Sequence, residues 1–589
     1  MVNVNADTVV GPQELEPGRS DGDTWFGHPR QLARLFTTEM WERFGYYGMR
    51  ALLALYLTKH FLFSDQTTAG LYGGFTALVY LTPLVGGLLA DRYLGSKKAV
   101  KFGAVLMALG YFTLCFGGET ARPTMTIDGQ RFAVTAVNTV DRPTSTGKEE
   151  RYIAPSGERL LIKGKEDGTV DLVAADGSVA RPVLYVLLML AGLSAVTVGN
   201  GFFKPNISTI VGTLYATGDR RRDAGFTIFY MGINLGSLFS QLLCPLLADT
   251  VGWWAGFGLA ALGMLASWAL IQFDGGRLKG YGEPPEQTGS SRDLAIFVGA
   301  VLAIPVALFL FWNLMSAPAA EPGSGIVGYL LSLPLMGKLL FGTFLISVPG
   351  ILIWAARQGD RTEFQMMLAA MVLIVFNVVF WTLFEQAGSS LTLFADRNTD
   401  LSVFGLFSIS AGQTQFFNAL FIVLLAPFFS MMWNAMARRG VEPSIPIKFA
   451  IALVSVGAGF LFLVWGSQFA GPDFKVALWW LAGLYLIHSA AELCISPVGL
   501  SMITKLSIAR VVGLMMGVWF LSISVAQYVA GIVAQVASVE TVGGQVTNLK
   551  VSLDTYAGVF QTIGLASVVI GVVLLVLSPV IKKWMHGVQ

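Results

Sequence analysis

Charge is what this chain has least of: Asp, Glu, Lys and Arg make up 13 % of its 589 residues, against 54 % hydrophobic residues, with a mean hydropathy of +0.63. A soluble protein of that length needs far more polar surface, so the sequence reads as a polytopic protein of the lipid bilayer. The net charge is only +2, which argues against nucleic acid as a partner and leaves the placement of Lys and Arg as the informative quantity. Histidine is as scarce. His28, His60, His488 and His586 are scattered, there is no HExxH and no GxSxG elbow, and a peptide-cleaving enzyme is not expected. His488 reads as a packing or hydrogen-bonding residue. The three cysteines, Cys115, Cys244 and Cys494, all lie in apolar segments, so no disulfide framework, thiolate metal site, metal or cofactor is expected. Residues 1–28 offer no basic region leading into a short apolar core; a cleaved signal peptide is not expected, and the first helix should direct insertion.

What the chain has in abundance is apolar runs. Fourteen of them, each long enough for about 30 Å of hydrocarbon, lie near 31–59, 68–91, 97–118, 182–215, 223–248, 251–273, 293–316, 326–356, 362–395, 411–437, 445–468, 474–504, 510–537 and 554–581. Short loops with Arg92, Lys97, Lys98 and Lys101, then Arg220 to Arg222, then Arg357 and Arg361, then Arg438 and Arg439 alternate with loops bearing only isolated bases such as Lys59, Arg397 and Lys475. The basic side should be cytoplasmic, which places both termini inside. Residues 119–181 then face outward. Their loose alternation over 127–139, 159–163 and 169–173, with Asp128-Gly129, Asp167-Gly168 and Asp176-Gly177 as turns, predicts a small β-hairpin cap.

The expected fold class is an all-α membrane protein of fourteen transmembrane helices in a six, two, six arrangement. It comprises a cytoplasmic tail (1–30), an N-terminal six-helix bundle (31–273) carrying the insertion 119–181, a linker with an extra helix pair (274–360) and a C-terminal six-helix bundle (361–589). Two pseudo-symmetric halves with a midplane site would give six plus six.

The exception to the scarcity of charge is Glu39 to Arg50, EMWERFGYYGMR, in the first run. An ionised side chain near a bilayer centre costs about 2.5–3.5 kcal/mol, so four of them demand pairing or a watery cavity. Glu39, Arg43, Tyr46 and Arg50 fall within an arc of about 60° of a helix, with Glu42 about 40° beyond it; that stripe must face the bundle interior. Further intramembrane charges are Lys204, Glu385 and Glu492, from both halves. Desolvated carboxylates with cationic partners are natural proton carriers, and Glu39, Glu42 and Glu385 qualify, with Arg43 and Lys204 as exchangeable partners. Aromatic, adaptable lining of such a cavity is expected from Tyr46, Tyr47, Tyr80, Trp381 and Trp519, and amide hydrogen-bonding groups from Asn234, Gln415 and Asn418. Arg50 and Asp396 are a candidate extracellular gate.

These residues carry a resemblance. Gly86 to Lys98, GGLLADRYLGSKK, resembles the loop motif of the major facilitator superfamily, where Asp91 and the bases can pair with helix ends. Glu39-x-x-Glu42-Arg43-Phe44-x-Tyr46-Tyr47-Gly48 resembles the E-x-x-E-R-F-x-Y-Y-G signature of the proton-dependent oligopeptide transporters, a branch of that superfamily. Gly201 to Asn206, Phe229 to Ser237 and Glu492 to Gly499 resemble its motifs on helices 4, 5 and 10. The resemblance implies a proton-coupled importer of dipeptides and tripeptides in the bacterial cytoplasmic membrane, functional as a monomer, with no enzymatic activity. It implies Arg50, with Lys204 nearby, at the peptide carboxylate and Glu492 at the amino terminus. Some members place a histidine on the second helix; the matching position here is Gly73, so carboxylates must carry the proton. Asn418 is followed by Ala419 where proline is common. A nitrate or small-anion carrier, a drug antiporter and a non-transporting peptide sensor stay open as alternatives, the first disfavoured by Glu492.

Overall fold

The computed structural model describes residues 24–588 apart from 128–129, 134, 145–146, 154–158, 162, 165–169, 172–178, 181, 217–218, 220, 285–289, 317–324, 540, 543–544 and 547. Most of the expected N-terminal tail and the three Asp-Gly turns lie outside the described residues. The first half is built from α1 (Gln31–Leu55), α2 (Asp65–Leu89), α3 (Ser96–Leu114), α4 (Val183–Thr213), α5 (Arg221–Thr250) and α6 (Trp253–Gln272). Three helices follow in the linker: α7 (Ser290–Ser316), α8 (Gly325–Ser332) and α9 (Leu335–Gln358). The second half comprises α10 (Arg361–Phe384), α11 (Ser390–Asn398), α12 (Phe416–Arg438), α13 (Ile445–Ser467), α14 (Leu478–Leu506), α15 (Val512–Val536) and α16 (Leu549–Trp584).

Among the described residues, twelve helices are long and apolar enough to cross a membrane. The two expected runs that fall short, α1 and α3, do so because α1 holds Glu39, Glu42, Arg43 and Arg50 and the 19-residue α3 opens on Lys97, Lys98 and Lys101. Two expected runs are broken. The run 326–356 divides between α8 and α9 at Leu333-Pro334, since proline ends the ladder behind it; Asn313 Oδ1 accepts the Leu335 N–H at 2.9 Å. The run 362–395 divides at a 3₁₀ turn, Glu385–Gly388, where a Cβ at Gly388 would run into the Tyr72 hydroxyl of α2. In 122–180 the described strands pair antiparallel, Arg122–Ile127 with Gln130–Ala133 and Thr135–Thr144 with Gly147–Ile153.

Small residues allow backbones to close on one another. A Cβ on Gly103 of α3 would lie 2.5 Å from the Gly199 carbonyl of α4. Two buried clusters result. One joins α1–α6 to Phe311, Leu314, Met336 and Leu340 of the linker and to Leu521, Val525 and Tyr528 of α15; the other joins α10–α16 to Ile351 and Ala355 of α9. The linker therefore packs on both halves, with α7 against α2 and α4 and α9 against α10 and α15. The loop motif pairs differently from expectation. Lys97 meets Asp274 at 3.2 Å and Lys98 meets Asp293 at 2.6 Å, so the motif binds the start of the linker, while Asp91 is exposed with no partner among the described residues.

Candidate functional site

The stripe on α1 is buried as its cost requires: Glu39, Glu42, Arg43 and Arg50 are each at most 6 % exposed. Arg43 forks onto Glu42, one arm at 2.6 Å, and lies 3.4 Å from Glu39 Oε1. Its guanidinium also reaches Asn200 Oδ1 of α4 at 3.4 Å and covers the Tyr46 ring at 5.2 Å. Glu39 Oε2 and the Tyr46 hydroxyl are buried without a hydrogen-bond partner among the described residues. Lys204 of α4 makes no ion pair among the described residues; its Nζ sits 4.4 Å from the centre of the Tyr80 ring. One base thus serves two acids on α1, while a second base meets the Tyr80 ring and no acid among the described residues.

Arg50 crosses the seam. It pairs with Glu385, which caps α10 and opens the 3₁₀ turn, and its Nε donates to the Tyr72 hydroxyl at 2.6 Å. The charged stripe of the first half is therefore tied to the second half through one carboxylate. Opposite, Asn418 of α12 donates to Glu492 Oε2 of α14 at 3.3 Å and to Ser489 at 3.0 Å. Trp381 donates to Asn377 at 3.1 Å, Gln415 to Thr392 at 3.0 Å, and Asn234 to its own helix at Tyr230. Tyr47 stands edge-on to Tyr46, and Trp519 is buried against the Gly499 backbone.

The Arg50–Asp396 pair is not formed, because Arg50 is held by Glu385; Asp396 pairs with Lys59 instead. The stronger tie nearby is one that sequence reasoning missed. Asp65 of α2 receives both arms of Arg397 at 2.6 and 2.7 Å, Arg397 also donates to Tyr556, and the Val539 N–H donates to Asp65 at 3.0 Å. Further cross-seam bonds run from Gln535 to Gln66, Ser524 to Ala77 and Gln413 to Leu242. Ser524–Ala77 lies midway along α2 and α15, and the others sit toward the end of the bundles away from the basic loops. Gly73 lies in this contact: a Cβ there would be 2.7 Å from Gly531 Cα, so a histidine cannot occupy the position without parting α2 from α15. His488 is buried and bonded to the Val456 carbonyl at 3.0 Å, as a packing residue. Asn200 was also missed, although an amide four residues before Lys204 on an apolar helix shares its face.

Two helical bundles closing around buried charges contributed by both define a membrane carrier of the major facilitator type. The POT family model matches residues 97–549. The dipeptide and tripeptide permease A of Salmonella typhimurium is 31 % identical over 95 % of this chain and 93 % of its own, and a transporter of Bacillus subtilis, YclF, is 32 % identical over 96 % of each. The crystal structure of a peptide transporter, POT, in complex with sulfate has a TM-score of 0.71 and 29 % identity over 96 % of this chain and 97 % of that one. A mutant of that transporter with alafosfalin gives 0.70 and 28 %. The chain belongs to the POT family, the proton-dependent oligopeptide transporters, and is a multi-pass membrane transporter, not an enzyme.

Proposed function

We propose that this protein is a symporter that carries dipeptides and tripeptides with protons into the bacterial cytoplasm by alternating access. The observation that carries the mechanism is the single guanidinium of Arg50, bound by Glu385 across the seam. A peptide carboxylate and Glu385 compete for that fork. Protonation of Glu385 releases Arg50, the peptide carboxylate takes its place with Lys204 nearby, and Glu492 binds the peptide amino group at the other pole. Tyr46, Tyr47, Tyr80, Trp381 and Trp519 accommodate side chains, while Asn234, Gln415 and Asn418 bond the peptide backbone. Glu39 and Glu42 share Arg43 and exchange with Lys204 as the proton moves.

In the membrane, α1 and α3 cross with the other twelve, giving fourteen spans. The charges of α1 are carried by the interior pairs described above, and the lysines of α3 sit at its cytoplasmic mouth. Both termini lie in the cytoplasm, the strands of 119–181 lie outside, and the bundles 31–273 and 361–589 rock against each other with the linker 274–360 alongside. The unit of transport is the monomer.

The test is accumulation of labelled dialanine in proteoliposomes under an inward proton gradient, with unlabelled tripeptide or nitrate as competitor, for wild type and Glu492→Gln. Competition by tripeptide alone, weakened by Glu492→Gln, is the expected result. Competition by nitrate alone would make the chain an anion carrier, and no gradient-driven uptake would remove the transport assignment.

A further inference from the structure

On the outer flank of the first half, away from the seam, two cavities meet. The larger is an apolar groove of about 790 Å³ between α3 and α6, bounded by residues such as Leu109, Phe112, Gly258 and Leu262. The smaller, about 480 Å³, lies at the end where α1 gives way to a π-helical turn (Tyr56–His60) and α3 ends; it is lined by Tyr56, His60, Gly117, Glu119, Thr120 and Trp253. Cys115 and Trp254 line both. Both volumes fall in the roughly 300–1,000 Å³ range of small-molecule sites. A long apolar trough that opens into a polar chamber fits an amphipathic molecule, with its chain along the trough and its head in the chamber.

The head chemistry is set by what the chamber leaves unmatched. His60 is buried and committed: Nε2 is 3.0 Å from the Gly117 carbonyl and Nδ1 is 3.2 Å from the Thr120 hydroxyl. Glu119 is exposed and has no hydrogen-bond or ionic partner among the described residues. Lys59, the base of the same turn, is held by Asp396. The chamber therefore offers an unpaired carboxylate and no free cation among its lining residues. Trp253 and Trp254 stand where aromatic rings favour the membrane interface.

We infer that the groove and chamber bind one membrane phospholipid whose headgroup ends in a primary ammonium, the acyl chain lying between α3 and α6 and the ammonium meeting Glu119. The floor of the groove has room to be filled: a Cβ on Gly258 would stand 3.9 Å from Cys115 Sγ, an ordinary contact.

Native mass spectrometry of the purified full-length chain, titrated with phosphatidylethanolamine, phosphatidylcholine or phosphatidylglycerol, tests this. Wild type is expected to retain one phosphatidylethanolamine in preference to the other two. Glu119→Gln should lower that preference by about fivefold, the range of an exposed ion pair, while leaving retention of the acyl chain. Gly258→Leu should lower retention of all three lipids by about tenfold through lost apolar contact. Neither residue belongs to the transport site, so dialanine uptake serves as the folding control, and quenching of Trp254 by brominated acyl chains, compared with Trp254→Phe, gives a second readout of occupancy. Equal retention of the three lipids by wild type, or no change in either variant, would overturn the proposal. So would a dimer that Gly258→Leu dissociates, which would show a second copy of the chain to be the occupant of the groove.

Discussion

A protonated Glu385 offers Arg50 only a neutral acceptor, whereas the carboxylate completes an ion pair with it. Glu385→Gln imitates the protonated form permanently. Gradient-driven dialanine accumulation is expected to fall by more than about tenfold, since a buried charge partner is worth several kcal/mol, while counterflow exchange of peptide persists. Accumulation retained in the variant would remove Glu385 from coupling. Gly73→Ala is a second prediction at this scale. Its Cβ meets the Gly531 backbone, so detergent-solubilised protein should lose about 1–3 kcal/mol of stability through overpacking, seen as a lower melting temperature. The charged residues of α1, α4, α10 and α14 were legible because burial of charge in an apolar run demands a reason. Their partners were not. Arg397 reads in sequence as an isolated loop base, and its acid lies 332 positions away.

Among the elements, the short connection after α6 shows how a helix end is fastened. Asp274 accepts the N–H groups of Gly276 and Leu278 at 3.2 and 3.1 Å and pairs with Lys97. Burial pushes its carboxyl up, but those hydrogen bonds and the lysine outweigh it and hold the group below the usual carboxylate value. A depressed Asp contributes stability that is present above its unfolded pKa, about 3.9, and lost as pH falls through the lower folded value. Asp274→Asn should therefore lower the melting temperature at pH 7, and the difference from wild type should vanish once the pH falls below the ordinary Asp range. A difference that persists in acid would mean that Asp274 acts through shape alone. Helix positions were readable from hydropathy over almost the whole chain. Hydropathy could not show the break at Pro334, where leucine-rich sequence continues on both sides, nor the one at Glu385–Gly388, which lies inside a single long apolar run, and it could not show that the charges of α1 pair partly within the helix and partly across the seam.

For the whole molecule, the cross-seam ties concentrate at one end, from Lys59–Asp396 and Asp65–Arg397 to Gln66–Gln535. Alternating access requires that end to part. With Cys115, Cys244 and Cys494 replaced by Ala, a short thiol cross-linker between Gln66→Cys and Gln535→Cys should abolish dialanine uptake, and a cleavable version should restore it on reduction. Uptake that survives the cross-link would mean that this seam does not open in the cycle.

The Arg50–Glu385 pair has one more consequence, which concerns wasted current. On the proposed mechanism, a proton on Glu385 with no peptide at hand would leave Arg50 with the Tyr72 hydroxyl but no counter-charge in a low-dielectric interior, a state that costs several kcal/mol. That mechanism would keep empty, proton-loaded carriers rare, so idle copies of the protein would not short-circuit the membrane's proton gradient.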